Sequence, residues 1–171
     1  MTDFLALARE RYSCRKFTDA PVEDEKIAAI LAAGMCAPTA VNKQPWHAWV
    51  LRDEAALAKL NETTPFGFGA KVVIVLGAKR DEGYTRKYDG YQFADVDAAI
   101  VGAHMMLEAQ DLGLGTTWVG HFDEPAMHQA FAQMDGYKLL AMFPLGYPSP
   151  DYEPAALHLA SRPADEMIDW L

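Results

Sequence analysis

Between residues 9 and 17 the chain reads RERYSCRKF, with Arg9, Arg11, Arg15 and Lys16 set around one acid, Glu10. Four bases against one acid leave a local positive excess inside a chain whose net charge is −9. In an extended segment alternate side chains share a side, so Arg11, Ser13 and Arg15 would project together. Two guanidiniums and a hydroxyl suit a phosphate monoester, which takes bidentate charge-assisted hydrogen bonds. The plain alternative is a solvated basic turn, because runs of charge are commonly surface.

A second polar pair lies in APTAVNKQPW, residues 37–46. Asn42 and Gln44 are amides spaced by two, each offering donor and acceptor together, as the edge of a heterocycle or a polyol requires. Turn chemistry is the alternative here: Asn favours a loop, and Pro45 fixes the entry to the next strand.

Other chemistries find less support. GLGTTWVG, residues 113–120, follows a predicted helix and precedes a predicted strand, the reverse of a dinucleotide fingerprint, and Gly113 is better read as a left-handed helix terminator. PFGFGAK lacks the spacing of a phosphate-binding P-loop. The five histidines, at 47, 104, 121, 128 and 158, show no metal-ligand spacing, and no metal is expected. No G-x-S-x-G elbow points to a serine hydrolase. Asp95 and Asp97 read as acids favoured by a helix N-terminus. Cys14 and Cys36 form no C-x-x-C pair and read as reduced thiols, with the bases around Cys14 leaving a reactive thiol as the alternative.

The elements that must position these residues emerge from apolar periodicity. Helices are predicted over 3–11 and 23–35, the second with Ile27, Ile30, Leu31 and Gly34 on one face, and the basic turn lies between them. Residues 37–45 form a loop into a strand over 46–52, and Asp53 caps a helix to Leu60. KVVIVLGA, residues 71–78, is an uninterrupted apolar run typical of a buried strand. The stretch 80–93 carries Tyr84, Tyr88, Tyr91 and Phe93, either an aromatic lid over a bound ring or plain packing. A long helix over 95–112 shows a stripe of Val96, Ala99, Ile100, Ala103 and Leu107, suited to close packing or to a subunit contact. A short strand at 116–120, a helix over 123–134 and a strand over 138–148 complete the pattern. The tail from Asp151 is broken by prolines and ends in MIDWL, an apolar end expected to dock on its own core or on a partner. Helices and strands do not alternate regularly, so the class is α+β.

At 171 residues the chain suits one domain, and 51% hydrophobic against 23% charged residues predicts that nearly all of it folds. An acidic chain with one local basic cluster argues against an extended nucleic-acid surface and against binding to anionic membranes. Its apolar runs fall short of the ~20 residues of a membrane span. The opening MTDFLALARERY, with its early Asp3, is unlike a secretory leader, so the expected location is cytoplasmic.

Taken together, RYSCRKF at 11–17, APTAVNKQPW at 37–46, LGLGTTWVGHFD at 112–123 and SRP in the tail resemble, in that order, the nitroreductase family of FMN-dependent oxidoreductases. The resemblance implies a single domain over 1–171. Its nitroreductase-like α+β fold would have a central, mostly antiparallel sheet flanked by helices, with FMN at the interface of a homodimer. By position, Arg11, Ser13 and Arg15 would hold the FMN phosphate, with Tyr12 beside them and Arg162 adding a cation from the tail. Pro38, Thr39, Asn42 and Gln44 would line the flavin, some from the other subunit. Thr117, Trp118, Val119 and Gly120 would run beside the ring and ribityl chain, with the Gly120 N–H a candidate donor to flavin N5. The loop reads Thr39-Ala40 where two serines are common, and Ala160 stands where larger members carry a second tail lysine. The implied activity is a ping-pong transfer of hydride from NAD(P)H through FMN to a nitroaromatic, quinone or similar small acceptor, with the chemistry carried by FMN. Enoate reduction, dehalogenation, flavin fragmentation, flavin binding without turnover and phosphate binding without flavin are the alternatives.

Overall fold

Strand β2 (Val72–Ala78) is buried at every position and forms the spine of the protein. In this computed structural model, residues 3–171 are described. Met1 and Thr2, the start of the stretch read above as unlike a secretory leader, lie outside them. β2 pairs antiparallel with β1 (Trp46–Leu51) on one side and with β4 (Lys138–Gly146) on the other. The short β3 (Gly115–Thr116) adds to β4, giving an antiparallel sheet ordered β1-β2-β4-β3.

Strand side chains alternate between faces, and β2 is apolar on both, so the sheet must be covered twice. Ile74 and Leu76, with Phe143 and Leu145 of β4, pack under α2 (Asp24–Met35) and α4 (Ala94–Asp111). Val73 and Val75, with Met142, pack with Leu60 of α3 (Glu54–Thr63) and Met127 of α5 (Glu124–Ala130). The fold is therefore α+β, a helix-flanked antiparallel sheet. A further helix, α1 (Phe4–Glu10), is capped by Asp3, whose carboxylate accepts the Leu5 N–H at 2.9 Å.

Gly113 has φ +74° and ends α4 as its sequence position predicts. One expected strand needs correction, and two expectations that left alternatives open lose one of them. The face α4 buries carries Ala98, Val101, Gly102, Met105 and Ala109, whereas Val96 and Ala103 of the predicted stripe are exposed and Ala99, Ile100 and Leu107 are half-buried. Residues 117–120 are not strand: pairing beyond Thr116 is limited to Val119, which exchanges two backbone hydrogen bonds with Met142. The apolar tail does not dock on its own core, because Leu157, Leu159, Trp170 and Leu171 are all exposed.

None of the described helices is long and apolar enough to cross a membrane.

Candidate functional site

The basic segment after α1 is stitched to the end of the sheet. Ser13 bridges to Thr116, and the Cys14 N–H donates to the Thr116 carbonyl at 3.0 Å. The Cys14 side chain is buried against Gly115, where any Cβ would lie 2.7 Å from its Sγ. Burial pushes the Cys14 thiol up, outweighing its hydrogen bond to the Lys16 carbonyl and the nearby Arg15. A low-pKa thiolate needs an accessible electropositive setting, so the reactive reading of Cys14 is withdrawn.

With the segment so fixed, Arg11, Ser13 and Arg15 line one cavity of about 320 Å³, together with Ala155, Leu157 and His158 of the tail. Neither guanidinium has a carboxylate within ion-pair reach among the described residues, whereas Lys16 next door pairs with Asp151. Two uncompensated guanidiniums and a hydroxyl in one hollow form a donor set for a phosphate group. Tyr12 turns the other way and stacks on Tyr152, ring centroids 6.2 Å apart.

Two further hollows share walls with the first. One, of about 170 Å³, runs from Arg15 along Thr117, Trp118, Val119 and Gly120, with Phe66 and Phe68 opposite. The other, of about 410 Å³, joins Arg11 and Ser13 to Trp118 and to Met106 and Leu107 of α4. Thr117 and Val119 are buried, so the run offers an occupant the Trp118 indole, 38% exposed, and the Gly120 backbone. The Gly120 N–H has no backbone acceptor among the described residues. Trp118 is held edge-on to Phe143 at 5.2 Å and lies over Gly102, where a Cβ would come 2.7 Å from the indole.

The second predicted group is brought elsewhere. Pro38, Asn42 and Gln44 are exposed and Thr39 is half-buried, in a loop anchored at the first turn of α4 rather than at these hollows. Asp97 accepts the Ala40 N–H at 2.8 Å, Thr39 Oγ1 accepts the Gln44 N–H at 3.0 Å, and the Gln44 amide donates to Asn42 Oδ1 at 2.8 Å. Val41, Asn42 and Gln44 all have positive φ, 48°, 56° and 52°, uncommon for residues with a side chain. Arg162 does not join the phosphate-sized cavity either, since its guanidinium pairs with Glu166 at 3.1 Å.

Four residues of this region escaped sequence reading. Phe66, Phe68 and His121 border the hollow beside Trp118, with the Phe66 ring edge-on to His121 at 5.3 Å. His158, one of five unremarkable histidines in the sequence, lines the basic cavity. No spacing rule identifies such residues, although Phe68, bulky and at φ +52°, belongs to a run whose aromatic and glycyl neighbours signal a special loop. The predicted aromatic stretch packs on itself: Tyr91 meets Phe93 at 4.9 Å, Arg86 lies over both rings, and Tyr88 is 96% exposed.

A roomier cavity, about 590 Å³, lies apart, between α3 and residues 69–71. Its two cations are already engaged, Arg52 with Asp24 at 2.6 Å and Lys71 with Asp19 at 3.8 Å. The uncompensated charge at Arg11 and Arg15 makes the smaller hollow the better candidate.

Comparison with known proteins agrees with the fold and the motifs. The model of the Nitroreductase family matches residues 8–65 and 61–147, and the chain belongs to that family. A nitroreductase family protein from Clostridium difficile 630 has a crystal structure that superposes with TM-score 0.90 at 32% identity, over 99% of this chain and 98% of that one. A curated relative from Methanothermobacter thermautotrophicus, named "Putative NADH dehydrogenase/NAD(P)H nitroreductase", is 30% identical over 92% of this chain and 86% of its own length. A Desulfovibrio desulfuricans protein crystallised in complex with FMN is 27% identical, with TM-score 0.80 over 98% of this chain and 96% of that one.

Proposed function

We propose that the chain is an FMN-dependent oxidoreductase that moves hydride equivalents from NAD(P)H to a small organic acceptor such as a nitroaromatic or a quinone. The observation carrying this reading is the convergence of two uncompensated guanidiniums and Ser13 on a cavity that adjoins the Trp118 and Gly120 wall. The names of its relatives and the FMN in a similar structure support the same reading.

FMN would supply the hydride-transfer chemistry between nicotinamide and acceptor. The chain's own residues bind and orient. Arg11, Ser13 and Arg15 would hold the phosphate through charge-assisted hydrogen bonds, while Tyr12 would brace the tail through Tyr152. The Trp118 indole would wall the ring side, and the Gly120 N–H would be the donor available to flavin N5. Thr117 and Val119, both buried, fix that wall to the core. No side chain is required as a proton donor.

A second copy of the chain completes the site in this reading. Pro38, Thr39, Asn42 and Gln44 sit in a loop away from the phosphate cavity of their own chain, so they would serve the cofactor of the partner. The open stripe on α4, with Val96 and Ala103 exposed, and the apolar tail provide the surface such a homodimer would bury. Arg162 would reach a phosphate only by leaving Glu166. A single domain at a cytoplasmic address fits this role.

Anaerobic titration tests the proposal. Protein loaded with FMN should bleach with NADH or NADPH and recolour on addition of a nitroaromatic or quinone. A protein that binds FMN but stays yellow with both nucleotides is a flavin binder, and one that cannot be loaded with FMN overturns the flavin reading altogether.

A further inference from the structure

We infer that His158, carried by the tail, is a phosphate ligand of the basic cavity and acts there as an imidazolium. The inference rests on the flavin reading above and extends it to a residue that neither motif nor spacing marks.

The tail is strapped over the cavity at two points. The Tyr152 hydroxyl donates to the Ser13 carbonyl at 3.2 Å, and its ring stacks on Tyr12 at 6.2 Å. His158 Nε2 lies 3.1 Å from the Arg9 carbonyl oxygen, and its ring meets Tyr12 edge-on at 6.3 Å. The two contacts place the imidazole in the wall of the hollow that Arg11, Ser13 and Arg15 line.

A carbonyl oxygen only accepts, so the contact with Arg9 assigns the proton to Nε2. Nδ1 is then free, with no hydrogen-bond partner among the described residues. A phosphate oxygen is also an acceptor, and Nδ1 can donate to it only when the ring carries its second proton. Imidazole is the side chain whose charge changes between about pH 5 and 8.

Arg11 and Arg15 line the same cavity as the ring, which makes its setting positive without an anion. On the tail, Glu153 follows Tyr152, and the Tyr12 phenol meets the ring edge-on. A phosphate dianion reverses the balance, so binding draws one proton from solvent onto Nδ1. The tail cation expected at Arg162 is thereby supplied by His158, four residues earlier.

The experiment compares wild type with His158→Gln, whose amide N–H can still reach the Arg9 carbonyl while carrying no charge. Flavin fluorescence quenching gives the affinities of the flavin-free protein for FMN and for riboflavin at pH 6, 7 and 8. The second ionisation of the phosphate near pH 6 affects both proteins alike, so the ratio of their FMN affinities isolates the imidazole. Wild type should bind FMN roughly tenfold more tightly than the variant at pH 6 and within about twofold at pH 8, as the loss of a charge-assisted hydrogen bond implies. Riboflavin should not distinguish the two proteins. A ratio that does not change with pH, while wild type prefers FMN over riboflavin, overturns the role of His158 alone. An equal loss of riboflavin binding makes the residue a structural clip and overturns its role as a ligand. A wild-type protein with no preference for FMN over riboflavin overturns the phosphate site and His158 together.

Discussion

Asp97 accepts the Ala40 N–H at 2.8 Å across 57 residues of sequence, tying the loop at 39–44 to the first turn of α4. Asp97 is 2% exposed, and its second carboxylate oxygen has no hydrogen-bond partner among the described residues. Left-handed φ at three residues with side chains costs on the order of 1–3 kcal/mol each, so this loop keeps its shape only under restraint. Asp97→Ala should therefore cost about 2–3 kcal/mol in urea unfolding and speed amide exchange at 40–44. Asp97→Asn retains the acceptor and should cost less than about 1 kcal/mol. An alanine variant with unchanged exchange in that loop would remove Asp97 as its anchor.

Arg15 touches two of the three adjoining hollows and has no acidic partner among the described residues. Arg15→Ala should weaken FMN binding roughly 10- to 100-fold, the value of a lost charged hydrogen bond, and leave riboflavin binding unchanged. Fluorescence titration with both ligands measures this directly. Equal effects on both would show that the guanidinium does not read the phosphate.

Gly102 is small because Trp118 and Phe143 occupy the space its Cβ would take, at 2.7 and 2.9 Å. Gly102→Ala must displace the indole or the ring beneath it, at an expected cost of about 1–3 kcal/mol. Tryptophan emission should shift with it, because Trp118 moves. A variant of unchanged stability and unchanged emission contradicts the packing described.

The two thiols should separate under an aromatic disulfide reagent. Cys36 at the end of α2 is exposed and should react at once. Cys14, buried and with its thiol pushed up, should react only after denaturation. Two thiols reacting equally fast in the native protein would show that the basic segment around Cys14 opens.

Glu124 gives a pH dependence of known sign. Burial pushes its carboxyl up, but the Lys138 ammonium and the Leu139 N–H, which donates at 2.8 Å, more than offset it and hold it below the usual 4.5. Its stabilisation is thus fully present above pH 4.5 and is lost as pH falls through the lower folded value. In Glu124→Gln, thermal melts should show a smaller loss of Tm between pH 6 and pH 3 than in wild type.

How much of the fold was legible in the sequence depends on which forces are local. The unbroken apolar run of β2 and the glycine that ends α4 are local signals, and both elements formed where expected. The basic segment was legible because its charges are adjacent in sequence. Asp97 was not, since an acid in a first helical turn looks like any other until the Ala40 N–H arrives from another element. On α4, small and apolar residues lie on more than one face, so periodicity alone did not say which stripe the core would take and which would stay open. His158 became visible only when the tail folded back over residues 9–13.

The bond from Cys14 to Thr116 and the thiol wedged behind Gly115 have a consequence for ligand choice. Because the basic segment cannot slide along the sheet without unpacking that sulfur, the span from the guanidiniums to the indole is a fixed ruler. Under the proposed function, a flavin analogue whose chain is one carbon shorter or longer should seat its acidic head or its ring, but not both.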